Sequence, residues 1–458
     1  MKVSYEIAGS ERALLVGVGW KRTPRFPGVP AGQPERESLA ELVELARSAG
    51  AQVAGTVFQL RDTADPATLV GRGKLDEIRA EATAHRAPLI IFDRNLSPVQ
   101  QRNIERATEC RVIDRTQLIL DIFARHARSR EGQLQVELAQ LSYLMPRLTG
   151  RGAEMSRLGG KSGAGGGGGA GGAAGRIGVR GPGEKKLETD RRRIRDRVHK
   201  IESQVESLRK QRGLRRETRQ GVPLGTVALV GYTNAGKSTL FNALCRAEVL
   251  VSSKMFATLD PTVRAIRLPS NRRVLISDTV GFIRDLPKGL LTAFRATLEE
   301  VQEAAIILHV SDVSNAHHEE QDAEVDKILR DLGVEDRTRL RVFNKMDLLS
   351  PEEAERLGRP GAGNGKPVFV SALTGHGLED LLQRIEAALP VDPIVTLNLL
   401  LPLAEGRTLA LVHAMGRVLH SSVEDSHMRL EAEVPESVAR RLRLDNFIAS
   451  GTFEPSGA

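Results

Sequence analysis

Short apolar runs recur along the chain, each closed by glycine, aspartate or a polar turn. Residues 13–18, 89–92, 227–230, 273–278 and 304–310 are such runs. Their length and aliphatic character predict strands buried on both faces. Between them the period lengthens. Leu39, Leu42, Val43 and Leu45 recur at helical spacing, and 116–127 reads as a further helix. With strands at 52–60 and 112–113, residues 12–127 alternate strand and helix. That alternation predicts a small parallel sheet with helices on its faces.

A different rhythm follows. Leu134, Leu138, Leu141, Met145 and Leu148 mark one seam of alternating four- and three-residue steps. Leu187, Ile194, Val198, Ile201, Val205 and Leu208 mark a second. Two such helices predict an antiparallel helical hairpin. Its tip is the glycine-dominated stretch 159–183, which has too little apolar surface to order itself. Near the C-terminus the pattern predicts a strand at 394–403, a helix at 407–420, a strand at 427–434 and a helix at 435–442. The expected architecture is multidomain α/β: a small N-terminal α/β domain (1–128), the hairpin (129–221), a doubly wound P-loop domain (222–390) and a small C-terminal α/β domain (391–458).

The P-loop assignment rests on 226–239, TVALVGYTNAGKST. An apolar strand runs into Gly231, Tyr232, Thr233, Asn234, Ala235, Gly236, Lys237, Ser238 and Thr239. The two glycines let successive backbone N–H groups curl around a phosphate, and the next helix aims its positive end at the same anion. Lys237 is placed to reach the outer phosphates and Ser238 to hold Mg²⁺. Further pieces follow in order. Phe256, Ala257, Thr258, Leu259 and Asp260 form a loop before a strand. Asp278 ends an apolar strand and leads into Thr279, Val280 and Gly281. The aspartate can hold Mg²⁺ through water, and Gly281 can offer its N–H to a terminal phosphate. Asn344, Lys345, Met346 and Asp347 follow another strand, and Ser371, Ala372 and Leu373 follow the next. A carboxylate at Asp347 can accept from both the ring N–H and the exocyclic amine of guanine, a donor pair adenine lacks. The nucleotide is therefore GTP or GDP.

Composition modifies this picture only in places. Of 458 residues, 40% are hydrophobic and 3% aromatic, so the cores are aliphatic. No uninterrupted apolar run is long enough to span a bilayer and no signal peptide opens the chain. A cytoplasmic protein without stable membrane insertion is expected, and a monomer. Cys110 and Cys245 stand far apart without a CxxC, which argues against a disulfide framework or a zinc ribbon. The net charge of +8 points weakly to an anionic partner. It concentrates in the second hairpin helix, at Lys185, Lys186, Arg191, Arg192, Arg193, Arg195 and Arg197, with Glu188, Asp190 and Asp196 partly offsetting it. Such a run is either a solvated helix face or a phosphate-backbone contact, and its one-sided excess beside a glycine-rich tip favours the second. No aromatics interleave, so the target would be structured RNA read by shape.

Three minor features remain. Gly71, Gly73 and Lys74 open a helix and form either a second nucleotide site or a tight strand-to-helix turn, with the turn favoured because the full P-loop spacing is missing. Asp93 and Asp114 follow strand ends, where ligands bind in open sheets, but a helix-capping role is favoured for both. His317 and His318 are expected at the surface, and not as ligands.

The motifs at 231–239, 256–262 (FATLDPT), 278–282 (DTVGF) and 344–347 (NKMD) closely resemble the HflX family of bacterial GTPases. So do 181–184 (GPGE), 187–194 (LETDRRRI), 71–74 (GRGK) and 93–98 (DRNLSP). The resemblance implies a factor that binds the large (50S) ribosomal subunit and splits stalled or idle 70S ribosomes, with GTP hydrolysis resetting it. It implies that Gly231–Ser238 bind phosphates, that Ser238 and Thr258 hold Mg²⁺, and that 256–260 and 278–281 are the two switches. It also implies that 344–347 and 371–373 hold the base. Lys237, Thr258 and Gly281 would be the catalytic positions. Phe282 stands where Ras-like GTPases carry a water-orienting glutamine, so slow intrinsic hydrolysis stimulated by ribosomal particles is expected. The competing readings are an ATP-driven RNA remodeller using the N-terminal glycine motif and a nucleotide-gated RNA-binding scaffold.

Overall fold

A computed structural model describes residues 11–21, 33–150, 182–219, 225–245, 255–256, 261–270, 272–284, 295–350, 352–353, 367–389, 393–424 and 426–449. The glycine tip and Ala257, Thr258, Leu259 and Asp260 lie outside them, as do the side chains of Lys185 and Lys186.

Four parallel strands open the chain: β1 (Arg12–Trp20), β2 (Gln52–Arg61), β3 (Leu89–Phe92) and β4 (Arg111–Asp114). Their order is β2-β1-β3-β4. The alternation of side chains across a strand sorts the apolar runs into two cores. Ala13, Leu15, Leu89 and Ile91 face one side, and Leu14, Val16, Val18, Ile90 and Phe92 the other. Helices Arg72–Ala84 and Pro98–Thr108 contribute Leu75, Ile78 and Ile104 to the second core. Ser97 starts the latter helix with a capping box, accepting from Gln100 N while the Gln100 side chain accepts from Ser97 N, and Pro98 suits the first turn.

Helix Arg130–Leu144 packs on helix Arg115–His126, then on the long helix Pro182–Arg219. Of the predicted seam positions, Leu134 and Ile201 are buried, Leu138, Leu141, Met145, Leu148, Ile194, Val198, Val205 and Leu208 are half-buried, and the Leu187 side chain lies outside the described residues; Val136 and Ala139, off the seam, are also buried. A bidentate pair from Arg197 to Glu137, 2.7 Å for each bond, ties the two helices together.

The third unit has six strands, β5 (Gly225–Gly231), β6 (Thr262–Arg267), β7 (Arg273–Asp278), β8 (Ile306–Asp312), β9 (Thr338–Asn344) and β10 (Val368–Phe369). The order is β10-β9-β8-β5-β7-β6, all parallel except β6, which runs antiparallel to β7. Strand β5 divides its side chains as β1 does: Val227 and Leu229 on one face, Ala228 and Val230 on the other. The second face continues without a break into the N-terminal unit. Leu42, Leu118 and Phe123 share one core with Tyr232, Phe256, Val280, Phe282 and Ile283. The Phe123 and Phe256 rings meet edge to face at 4.5 Å.

The last unit is an antiparallel sheet, β11 (Ile394–Pro402), β13 (His427–Pro435) and β12 (Arg417–Glu424), in the order β11-β13-β12. Here one expectation fails. The helix predicted over 407–420 ends at Met415, and β12 begins at Arg417. Gly416 is extended and closes the helix, and Val418 pairs with Ala432 of β13 instead of continuing it.

Candidate active site

Strand β5 delivers Gly231 to the carboxyl edge of the sheet, at the point where its neighbours β7 and β8 diverge in sequence order. This is the crevice where open α/β sheets bind ligands. Asn234 and Gly236 are both left-handed, with φ of 64° and 90°, so the backbone from 231 to 236 wraps into a cradle closed by helix Lys237–Cys245. A Cβ on Gly236 would stand 2.3 Å from Asn344 Nδ2, which explains why no side chain fits there.

Within the cradle, the Lys237 ammonium donates to the carbonyls of Gly231 (3.1 Å) and Tyr232 (2.7 Å). Ser238 Oγ donates to Asp278 Oδ2 at 2.7 Å. A hydroxyl and a carboxylate at that distance are hard oxygen donors of the kind Mg²⁺ prefers, and the pair fits that ion. Gly281 closes over the site: a Cβ there would sit 2.9 Å from Thr233 Cα and 3.1 Å from Lys237 Nζ. Thr279 donates to Leu229 O at 2.5 Å, and Phe282 exchanges backbone hydrogen bonds with the P-loop, Thr233 N to Phe282 O and Phe282 N to Gly231 O. The Phe282 ring is buried in the shared core. It presents no polar group to a water above the phosphates.

Burial lowers the Lys237 pKa from 10.5 to about 8, and Asp278 only partly restores it. A phosphate binds the protonated form. The sign follows: nucleotide affinity falls as pH rises through about 8. Between pH 7 and 8.5 the protonated fraction drops about fourfold, so GDP binding followed by fluorescence titration weakens about fourfold over that interval. Linkage gives the companion effect. The unfolded chain holds more protons than the ligand-free fold between about 8 and 10.5, so ligand-free stability rises with pH across that window.

The base-side loops converge on Asn344. Its amide donates to Ala235 O (2.9 Å) and its carbonyl accepts from Ala372 N (3.0 Å), joining the P-loop to 371–373. Lys345 is left-handed at φ 66° and pairs with Asp312 at 2.6 Å. Met346 and Asp347 start a 3-10 turn, and Ser371 Oγ donates to Asp347 Oδ1 at 2.5 Å. Asp347 and Leu373 are exposed, leaving the carboxylate open on one side.

Several residues important here carry no local motif. Tyr232 Oη donates to Glu41 Oε1 of the N-terminal unit (2.6 Å) and accepts from Arg284 N (2.8 Å). Glu41 in turn holds Arg115 at 2.5 Å, and Arg115 holds Asp93 at 2.8 Å. Burial opposes the Arg115 charge, but Glu41 and Asp93 more than offset it and raise its pKa. Asp93 is thus a buried ion-pair partner and not the cap expected for it, while Asp114 does cap helix Arg115–His126 through Gln117 N. Met255 N donates to Ser48 Oγ, so the chain just before the 256–260 loop also rests on the N-terminal unit. The P-loop tyrosine was the only signal in sequence that this site has a second wall.

Arg192, Arg193 and Arg195 are exposed on the long helix, Arg191 is half-buried, and Arg197 is committed to Glu137. Gly71 is extended at φ −71°, Gly73 has open space beside it, and Lys74 pairs with Glu77 at 2.7 Å. That is the geometry of a strand-to-helix turn; a phosphate there would have to displace Glu77. His317 and His318 are partly exposed: His317 Nε2 lies 3.3 Å from Glu37 Oε1, and the His318 ring packs edge-on against Phe343. No described helix is long and apolar enough to cross a membrane.

Comparison with known proteins agrees with the geometry. Residues 36–124 match the family described as GTP-binding GTPase N-terminal, 126–219 the GTP-binding GTPase middle region, and 226–345 the family described as 50S ribosome-binding GTPase. The GTPase HflX of Caldanaerobacter subterraneus is 43% identical over 96% of this chain and 94% of its own. That of Escherichia coli K12 is 40% identical over 89% and 92%. The crystal structure of a GTP-binding protein from Sulfolobus solfataricus with GDP is similar at 23% identity and TM-score 0.40, covering 82% of this chain and 98% of that one. The 43% identical relative from Caldanaerobacter subterraneus, matched over nearly its whole length, settles the family, and the chain belongs to the HflX GTPases.

Proposed function

We propose that this GTPase binds the large ribosomal subunit and dissociates stalled or idle 70S ribosomes, with hydrolysis resetting it. In this reading Gly231–Ser238 hold the phosphates, Lys237 their outer oxygens, and Gly281 N–H the terminal group. Asn344, Lys345, Asp347 and Ser371–Leu373 hold guanine. Ser238 and Thr258, with Asp278 through water, would hold Mg²⁺, which when bound neutralises charge on the phosphate oxygens. The cytoplasm is the compartment where such a factor meets its substrate.

One observation carries the ribosomal part. The arginine-rich helix Pro182–Arg219 is physically tied to the GTPase unit, with Arg209 Nε 3.5 Å from Glu299, and it presents Arg192 and Arg195 to solvent. Exposed guanidiniums on a rigid helix suit the phosphate backbone of structured RNA. The match of 226–345 to the family described as 50S ribosome-binding supports the same target.

Phe282 has no polar group to orient the attacking water, and in this reading turnover depends on a partner. GTP hydrolysis by the full chain is expected to be slow alone and to rise with purified 50S particles by up to roughly 10³–10⁵-fold, the range seen when a partner completes such a site. Rapid turnover by the isolated protein, unchanged by particles, would contradict the reading.

A further inference from the structure

Between the N-terminal unit and the GTPase unit lies a cleft of about 410 Å³, lined on one side by Glu37, Glu41 and Glu44 and on the other by Arg284, His317 and Glu320. Three of these side chains converge. Each of Glu37, His317 and Glu320 offers one ligand atom, and these atoms all lie within 4.8 Å of one another. We propose that Glu37, His317 and Glu320 form a site for a divalent transition cation that clamps the two units together.

The geometry is close to what such an ion needs. Zinc–nitrogen and zinc–oxygen bonds of about 2.0–2.2 Å set tetrahedral ligand atoms roughly 3.4 Å apart, so the cluster closes on one ion with side-chain shifts of about 1 Å. The pieces are held independently. Glu37 belongs to helix Gln33–Ser48, whereas His317 and Glu320 sit three residues apart at the start of helix His318–Asp331 and therefore share one helical face. His317 Nε2 already faces Glu37 Oε1 at 3.3 Å. Glu320 uses Oε2 to pair with Arg284 at 3.1 Å, and a carboxylate has a second oxygen to give to a metal. In that arrangement Arg284 becomes the outer partner that orients the ligand.

The donor set selects the ion. One imidazole and two carboxylates suit zinc or manganese, whereas magnesium favours oxygen alone and keeps its water. Half-burial and the open cleft leave room for water to complete the coordination. The site is separate from the Ser238–Asp278 pair, but Arg284 N also donates to Tyr232 Oη. A cation at Glu320 would thus sit one residue's contact away from the P-loop.

The test uses the full-length protein, stripped with chelator and titrated calorimetrically with ZnCl₂ in excess Mg²⁺. One equivalent is expected, weakened at least tenfold in Glu37→Gln and in His317→Ala and unchanged in His318→Ala. GDP affinity, measured on each variant, reports that the fold is retained. Zinc is also expected to slow amide exchange in helices Gln33–Ser48 and His318–Asp331 of the wild type and not of the variants. Absence of a zinc equivalent in the wild type, or wild-type zinc affinity in the Glu37→Gln/His317→Ala double variant, would overturn the proposal.

Discussion

Asp347→Asn is expected to weaken GTP and GDP binding by roughly 10²–10³-fold. The carboxylate is held in place by Ser371 Oγ at 2.5 Å and stands at the exposed mouth of the base pocket. Its two oxygens can accept from guanine's ring N–H and exocyclic amine, and each charge-assisted bond is worth about 1.5–3 kcal/mol. Asparagine keeps one acceptor and turns a donor toward a donor, so one bond is lost and the other loses its charge. The same change creates a complementary partner for xanthine, which carries a carbonyl in place of the exocyclic amine. Affinity for xanthosine nucleotides should therefore rise as guanosine affinity falls. Competition against a fluorescent GDP analogue checks both directions. Guanosine affinity within a few-fold of wild type would remove Asp347 from base recognition.

Arg115→Leu is expected to cost about 3–5 kcal/mol of stability, the usual penalty for removing one member of a buried ion pair. The Arg115 side chain is 4% exposed, Asp93 1% and Glu41 13%. Leucine would leave both carboxylates facing each other without a cation. It would also release Glu41, which holds the Tyr232 hydroxyl, so the damage reaches the P-loop. At the usual urea sensitivity of about 1–3 kcal/mol per molar, the midpoint for unfolding of the N-terminal unit falls by about 1 M or more. A wild-type midpoint would show that the triad contributes little. Lysine is not an adequate replacement, because a single ammonium cannot span two carboxylates as the guanidinium fork does.

Much of this site could be read before the fold was known, and the reason is locality. Gly231, Gly236, Lys237 and Ser238 act within one turn of chain, so their spacing alone specifies the cradle. The apolar runs of β1, β3 and β5 were equally legible because both faces of a central parallel strand are buried. What escaped depends on distance in sequence. Tyr232 and Glu41 are 191 positions apart, and Asp93 meets Arg115 only because β3 and β4 are neighbours. Asp93 looked like a cap because it follows a strand, as Asp114 does; only the fold distinguishes them. The overrun helix at 407–420 has a local cause, since Gly416 lies inside an otherwise continuous helical period. The contact of His317 with Glu37 escaped because the two lie in different units.

The joined core links the GTPase unit to the N-terminal unit. Phe256, Val280, Phe282 and Ile283 of the GTPase unit are packed with Leu42, Leu118 and Phe123 of the N-terminal unit. Cores are close-packed, so a shift of 256 or of 280–283 is felt by the helices that carry those residues.

The central claim is tested most directly by light scattering from purified 70S ribosomes mixed with the full-length protein and a non-hydrolysable GTP analogue. The account predicts a fall in scattering as 70S particles separate into subunits, absent with GDP and absent in Asp347→Asn with the guanosine analogue. An unchanged 70S signal with saturating wild-type protein and analogue would contradict it.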